Sequence, residues 1–140
     1  MLKKSTFLVA ALTMIGFNAP TFAMPPRPEQ CPTVGNIKFA GLSYAVPGND
    51  GYTVAQFNNY ATKDNWLFGF TSIKATSSQQ ALNIGRQWLS SLFGAPEPVA
   101  VTSQNVWACL YQTSNGDYGV ALTPVNMSAT INQSMMAAIH

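Results

Sequence analysis

Nucleophilic catalysis of the serine- or cysteine-hydrolase type needs a histidine held within hydrogen-bond reach of its partner, and this chain offers one histidine, His140, at its final position. Chain ends are seldom held that rigidly, so neither a Ser-His-Asp nor a Cys-His site is expected. The carboxylates Glu29, Asp50, Asp64, Glu97 and Asp117 all fall in turn-forming or proline-rich stretches. Solvated acids belong there, whereas a glycosidase pair needs two carboxyls fixed across a cleft. Lys74 with Ser77 and Ser78 has the residue types of a Ser-Lys site but no specific spacing, and no glycine-rich phosphate loop is present. The balance points to a protein that is not an enzyme.

Binding chemistry remains. Trp66, Phe68, Phe70, Trp107, Tyr111 and Tyr118 supply enough aromatic surface to line a pocket for a flat apolar ligand, although bulky residues on one side of a sheet more often form its core. Met136 and His140, four residues apart, present the two side chains that ligate haem iron in Met/His centres. A frayed terminus explains the same two residues without a ligand.

Lys3 and Lys4, the apolar run Phe7–Phe17 and the small-residue site Thr21-Phe22-Ala23 read as a secretory signal peptide over residues 1–23. The apolar run falls short of the roughly 20 residues needed to span a bilayer, so no membrane span is expected after cleavage. Loss of Lys3 and Lys4 leaves five basic residues against five acidic ones, a formal charge of zero where the whole chain carries +2. Nucleic acid and anionic lipid call for clustered Lys and Arg and are not expected partners. In an exported chain the two cysteines, Cys31 and Cys109, are expected to pair with each other. They lack the CxxC spacing and nearby histidine of a zinc site.

The elements that must position these residues are organised around Ser77–Gly94. Ala81, Leu82, Gly85, Trp88, Leu89, Leu92 and Phe93 recur there at helical steps, with a serine cap at one end and Gly94 then Pro96 at the other. Residues 24–140 are expected to form one domain, opening with an extended proline-rich segment over 24–35. Strands are expected at Ile37–Val46, Tyr52–Phe57, Trp66–Ile73, Val99–Thr113 (clearest from Asn105) and Tyr118–Thr123, and a weaker helix over Asn126–His140 with Met127, Ile131, Met135 and Ala138 on one stripe. A two-residue Asn115-Gly116 turn would set Thr113 opposite Tyr118 and Tyr111 opposite Val120. Trp107, Cys109, Tyr111, Tyr118, Val120 and Leu122 would then share the helix-facing side, leaving small residues behind. The fold expected is α+β, an antiparallel sheet of about five strands in the order β-β-β-α-β-β-α with the main helix on its bulky face.

The leader, the segment Pro28-Glu29-Gln30-Cys31-Pro32 followed by Ile37-Lys38 and Gly41-Leu42-Ser43, the later Cys109 and the overall length resemble a family of small exported proteins known from Legionella. One member of that family carries the name haemin-binding protein. The resemblance implies a periplasmic or secreted protein with a connection to haem, and it transfers no ligating residue. The leading expectation is therefore an exported, non-enzymatic haem-binding protein with Tyr111, Tyr118, Met136 or His140 as axial ligands. The alternative is an exported virulence or envelope protein that binds a host or envelope partner and no small molecule.

Overall fold

A computed structural model describes residues 23–125, which form one six-stranded antiparallel sheet with two helices packed on one of its sides. In chain order the elements are α1 (Val34–Ala40), β1 (Tyr44–Gly48), β2 (Gly51–Asn58), β3 (Trp66–Ile73), α2 (Ser78–Ser90), β4 (Val99–Val101), a 3₁₀ turn (Thr102–Gln104), β5 (Val106–Gln112) and β6 (Tyr118–Thr123). The strands lie in the spatial order β1-β2-β3-β6-β5-β4. This is the expected α+β architecture with one more strand. Residues 1–22 of the signal peptide expected over 1–23, the helix expected over Asn126–His140 and with it Met136 and His140 lie outside the described residues.

Helix α2 starts because the Ser77 hydroxyl accepts from the Gln80 amide at 3.1 Å, satisfying one of the free donors of the first turn. Its buried stripe, Ala81, Gly85 and Leu89, rests on the sheet side that carries Trp66, Phe68, Phe70 and Ile73. All four of these sheet residues are fully buried, and each such side chain contributes about 1.5–3 kcal/mol of burial free energy. Phe70 meets Trp88 of α2 edge to face at 5.5 Å. Gly85 lies so close to β2 that a Cβ there would stand 2.6 Å from Val54 Cγ2. The glycine is the point where helix and sheet touch.

The helix stops at Ser90 and not at Gly94. The Ser91 amide and hydroxyl both turn back to the Trp88 carbonyl. Phe93 then leaves the helical path to exchange two backbone hydrogen bonds with Gln112, of 2.8 and 3.0 Å, at the end of β5. Two sheet bonds outweigh one further helical turn.

On the same side as the helices, the proline-rich segment is anchored three times over β5. Cys31 and Cys109 form the expected disulfide, the Tyr111 hydroxyl donates to the Pro32 carbonyl, and Trp107 Nε1 donates to the Pro25 carbonyl at 2.9 Å. The segment leads directly into α1. The Thr33 hydroxyl accepts from the Asn36 amide, and Gly41, at φ +74°, closes the helix. Residues 37–40 are therefore helical, and the strand expected over Ile37–Val46 is reduced to Tyr44–Gly48. A cap residue and a C-terminal glycine override the apolar alternation that suggested a strand.

The segment 99–113 is a hairpin in its own right. Asn105 adopts the left-handed conformation (φ 55°) after the 3₁₀ turn, so Val99–Val101 folds back to pair with Val106–Ala108. That fold supplies the sixth strand. The second hairpin also departs from expectation, because its loop holds three residues and not two. Thr113 and Asp117 close it, through an amide-to-carbonyl bond of 3.0 Å and the Asp117 amide donating to Thr113 Oγ1, and Gly116 takes the positive φ of +92°. Tyr111 consequently lies opposite Gly119, and Cys109 opposite Ala121. A one-residue slip turns a whole strand over. Tyr118, Val120 and Leu122 face away from the helices, and Gly119 and Ala121 face them.

Candidate functional site

The slip in register rebuilds the back of the sheet. In place of the small residues expected there, Ala55, Leu67, Val106, Ala108, Val120 and Leu122 form a second apolar cluster, with Phe57, Val101, Leu110 and Val125 packed against it. Strand alternation and pairing place Tyr44, Val46, Val99 and Tyr118 on this reverse face as well, all partly exposed around its rim. Tyr44 stacks edge to face with Phe57 at 5.4 Å. No Asp, Glu, Lys or Arg occupies a reverse-face position on any of the six strands. An uncharged face bearing aromatic groups at its rim has the chemistry to hold a flat apolar ligand or an apolar partner surface.

The two tyrosines singled out from the sequence are separated by the sheet. Tyr111 is fully buried on the helix side, in edge contact with Phe68, and its hydroxyl is committed to Pro32. Burial pushes its phenol up from its ordinary value, and the neighbouring Tyr60 phenol pushes it the same way. Ligating iron through tyrosinate requires losing that proton, so Tyr111 is a structural residue with no open side. Tyr118 is 44 % exposed on the reverse face. Of the four proposed ligands, Met136 and His140 lie outside the described residues and Tyr118 alone is accessible within them. Trp66, Phe68 and Phe70 are core, so the aromatic pocket considered on that side is filled by α2 and its neighbours.

Two clefts flank the N-terminal segment. One, of about 240 Å³, runs between Glu29–Val34 and Gly94–Pro98, close to an Arg27–Glu97 ion pair of 3.2 Å. The other, of about 260 Å³, lies between Glu29–Gln30 and Ala61–Asp64, where Lys63 Nζ meets Glu29 Oε2 at 3.1 Å. Both fall below the roughly 300–1,000 Å³ of ordinary ligand pockets. Glu29 and Asp64 line the second cleft together, but the Glu29 side chain is 74 % exposed and its charge is answered by Lys63. Lys74 donates to the Asp50 carbonyl at 2.8 Å while Ser77 caps α2, so the Ser-Lys combination is dispersed. Among the described residues no three of His, Cys, Asp and Glu are grouped to hold a metal ion, and no helix is long and apolar enough to cross a membrane.

Set beside known proteins, the chain matches no family model, no curated protein and no solved structure. The geometry has to speak alone. Sequence reasoning overlooked the reverse face because it took Asn115-Gly116 for a two-residue turn. The Thr113/Asp117 pair that closes the longer loop was the signal in the sequence that could have revealed it.

Proposed function

We propose that this chain is an exported, non-enzymatic binding protein whose ligand, haemin or a similarly flat apolar molecule, seats against the reverse face of the sheet at Tyr118. The observation that carries the reading is the composition of that face, which is free of charge on all six strands and has the half-exposed Tyr118 at its rim. A porphyrin plane gains from burying apolar area, and a phenol at the rim is placed to meet its iron. The Cys31–Cys109 disulfide suits an oxidising compartment outside the cytosol and holds the opposite side of the sheet rigid. The resemblance to a family with a haemin-binding member agrees with this ligand.

The test is titration of haemin into the chain comprising residues 24–140, followed through the Soret band. A saturable shift is expected, altered in position or weakened by Tyr118→Phe and untouched by Lys38→Gln on the helix side. A titration that never saturates removes the haem reading. Saturation that survives both Tyr118→Phe and truncation of Met136–His140 removes the proposed ligands.

A further inference from the structure

The reverse face poses a question of its own. Its centre, Ala55, Leu67, Val106, Ala108, Val120 and Leu122, is no more than 5 % exposed, yet both helices and the proline-rich segment lie on the other side of the sheet. The described residues that pack against this cluster come from the strands themselves, with one addition. That addition is Val125, the last described residue, which joins the cluster directly after β6.

We propose that the segment 126–140 folds back from Val125 across the reverse face and is its cover. Strand β6 is one of the two middle strands, so the chain leaves the sheet at its centre line. The segment contains no Asp, Glu, Lys or Arg, matching the uncharged face, and sets Met127, Ile131, Met135 and Ala138 on one helical stripe. As a helix its 15 residues are about 22 Å long, against about 20 Å for the six residues of β6, so it spans the face from one end to the other. Methionine suits a flat and shallow surface of this kind, since its unbranched side chain adapts to irregular contacts. Thr53 supplies an independent sign. It lies on the same face, is fully buried, and its hydroxyl has no hydrogen-bond partner among the described residues. Such an atom is expected to meet a polar group from whatever lies above it. Ser134, which flanks the stripe, is available in the segment for that purpose.

The segment then lies over the buried centre of the face and leaves the exposed rim at Tyr118 to the ligand, and the inference is tested without ligand. In the 24–140 chain, methyl-selective NMR is expected to show NOEs from Met127, Ile131 and Met135 to Leu67, Val106, Val120 and Leu122. A sample mixed from differently labelled chains then distinguishes contacts within one chain from contacts between two. Contacts only between chains mean that a second copy covers the face, and overturn the proposal. Absence of these contacts means that the segment lies elsewhere, and overturns it equally. As a second measurement, Ile131→Asp on the stripe is expected to raise the fluorescence of a hydrophobic dye several-fold, whereas Gln133→Asp off the stripe leaves it unchanged. Equal behaviour of the two variants contradicts the proposal.

Discussion

Replacing Gly85 by alanine sets two effects of known size against each other. Alanine is favoured over glycine inside a helix by about 1 kcal/mol, so on propensity alone Gly85→Ala stabilises α2. The new methyl, however, would stand 2.6 Å from Val54 Cγ2 and 3.1 Å from Leu42 Cδ1, where carbon atoms normally rest about 3.5–4.0 Å apart. Val54 is fully buried on β2 and its branched side chain has little rotamer freedom, so α2 and the sheet must separate. Overpacking of this kind costs about 1–3 kcal/mol. The net expectation is a loss of about 1 kcal/mol, a fall of about 4–8 °C in Tm for a domain of this size. Urea unfolding of a double-mutant cycle isolates the clash. Val54→Ala alone costs about 2 kcal/mol, and in that background Gly85→Ala should become neutral or stabilising, a coupling of about 1–2 kcal/mol. If Gly85→Ala stabilises the protein with Val54 in place, the packing of α2 on β2 described above is wrong.

Removing the disulfide by Cys31→Ser with Cys109→Ser reopens a loop whose ends are 78 residues apart, which costs about 4.5 kcal/mol in the chain-entropy model. Thermal unfolding of the oxidised and doubly substituted chains checks this. Tyr111→Phe leaves the Pro32 carbonyl without its buried donor and should cost about 1–3 kcal/mol, with near-ultraviolet circular dichroism otherwise retained. Alkaline pH should act through Tyr60 and Tyr111, whose phenols are both raised, first by burial. Below pH 10 their contribution is complete; above it the unfolded chain ionises while the folded chain keeps its protons, so stability falls by up to about 1.4 kcal/mol per pH unit for each. Urea midpoints between pH 9 and 11 show this fall, and Tyr111→Phe should make it shallower.

Residues with strong local signals were legible in the sequence. Trp66–Ile73 and Tyr118–Thr123 are strands with the boundaries their alternation suggested, and Ser77 caps α2. The helix-facing placement of Trp66, Phe68, Phe70 and Cys109, and the pairing of Cys109 with Cys31, were legible for the same reason. What failed depended on a single residue's geometry. Asn105 in the left-handed region splits one strand into two, and the third loop residue closed by Thr113 and Asp117 turns β6 over. Neither leaves a mark on hydrophobic periodicity, which is the same for either face. The candidate site followed that error: Tyr111 and Tyr118 share a side only in the two-residue turn, and the true register sends one into the core and the other to the reverse face. The short helix α1 was not read from the sequence: the alternation of Leu42, Tyr44 and Val46 was extended back to Ile37, and the caps at Thr33 and Gly41 went unnoticed.

The uncharged reverse face is the centre of the functional account, and a charge placed on it tests the account most directly. Tyr118→Glu puts a carboxylate at its rim, whereas Phe39→Glu puts one on α1 across the sheet, at a position already 93 % exposed. Haemin titration of the two variants beside the unsubstituted 24–140 chain should show saturable binding abolished by Tyr118→Glu and unchanged by Phe39→Glu. Unchanged affinity in Tyr118→Glu, or loss of binding in Phe39→Glu, contradicts the assignment of function to the reverse face.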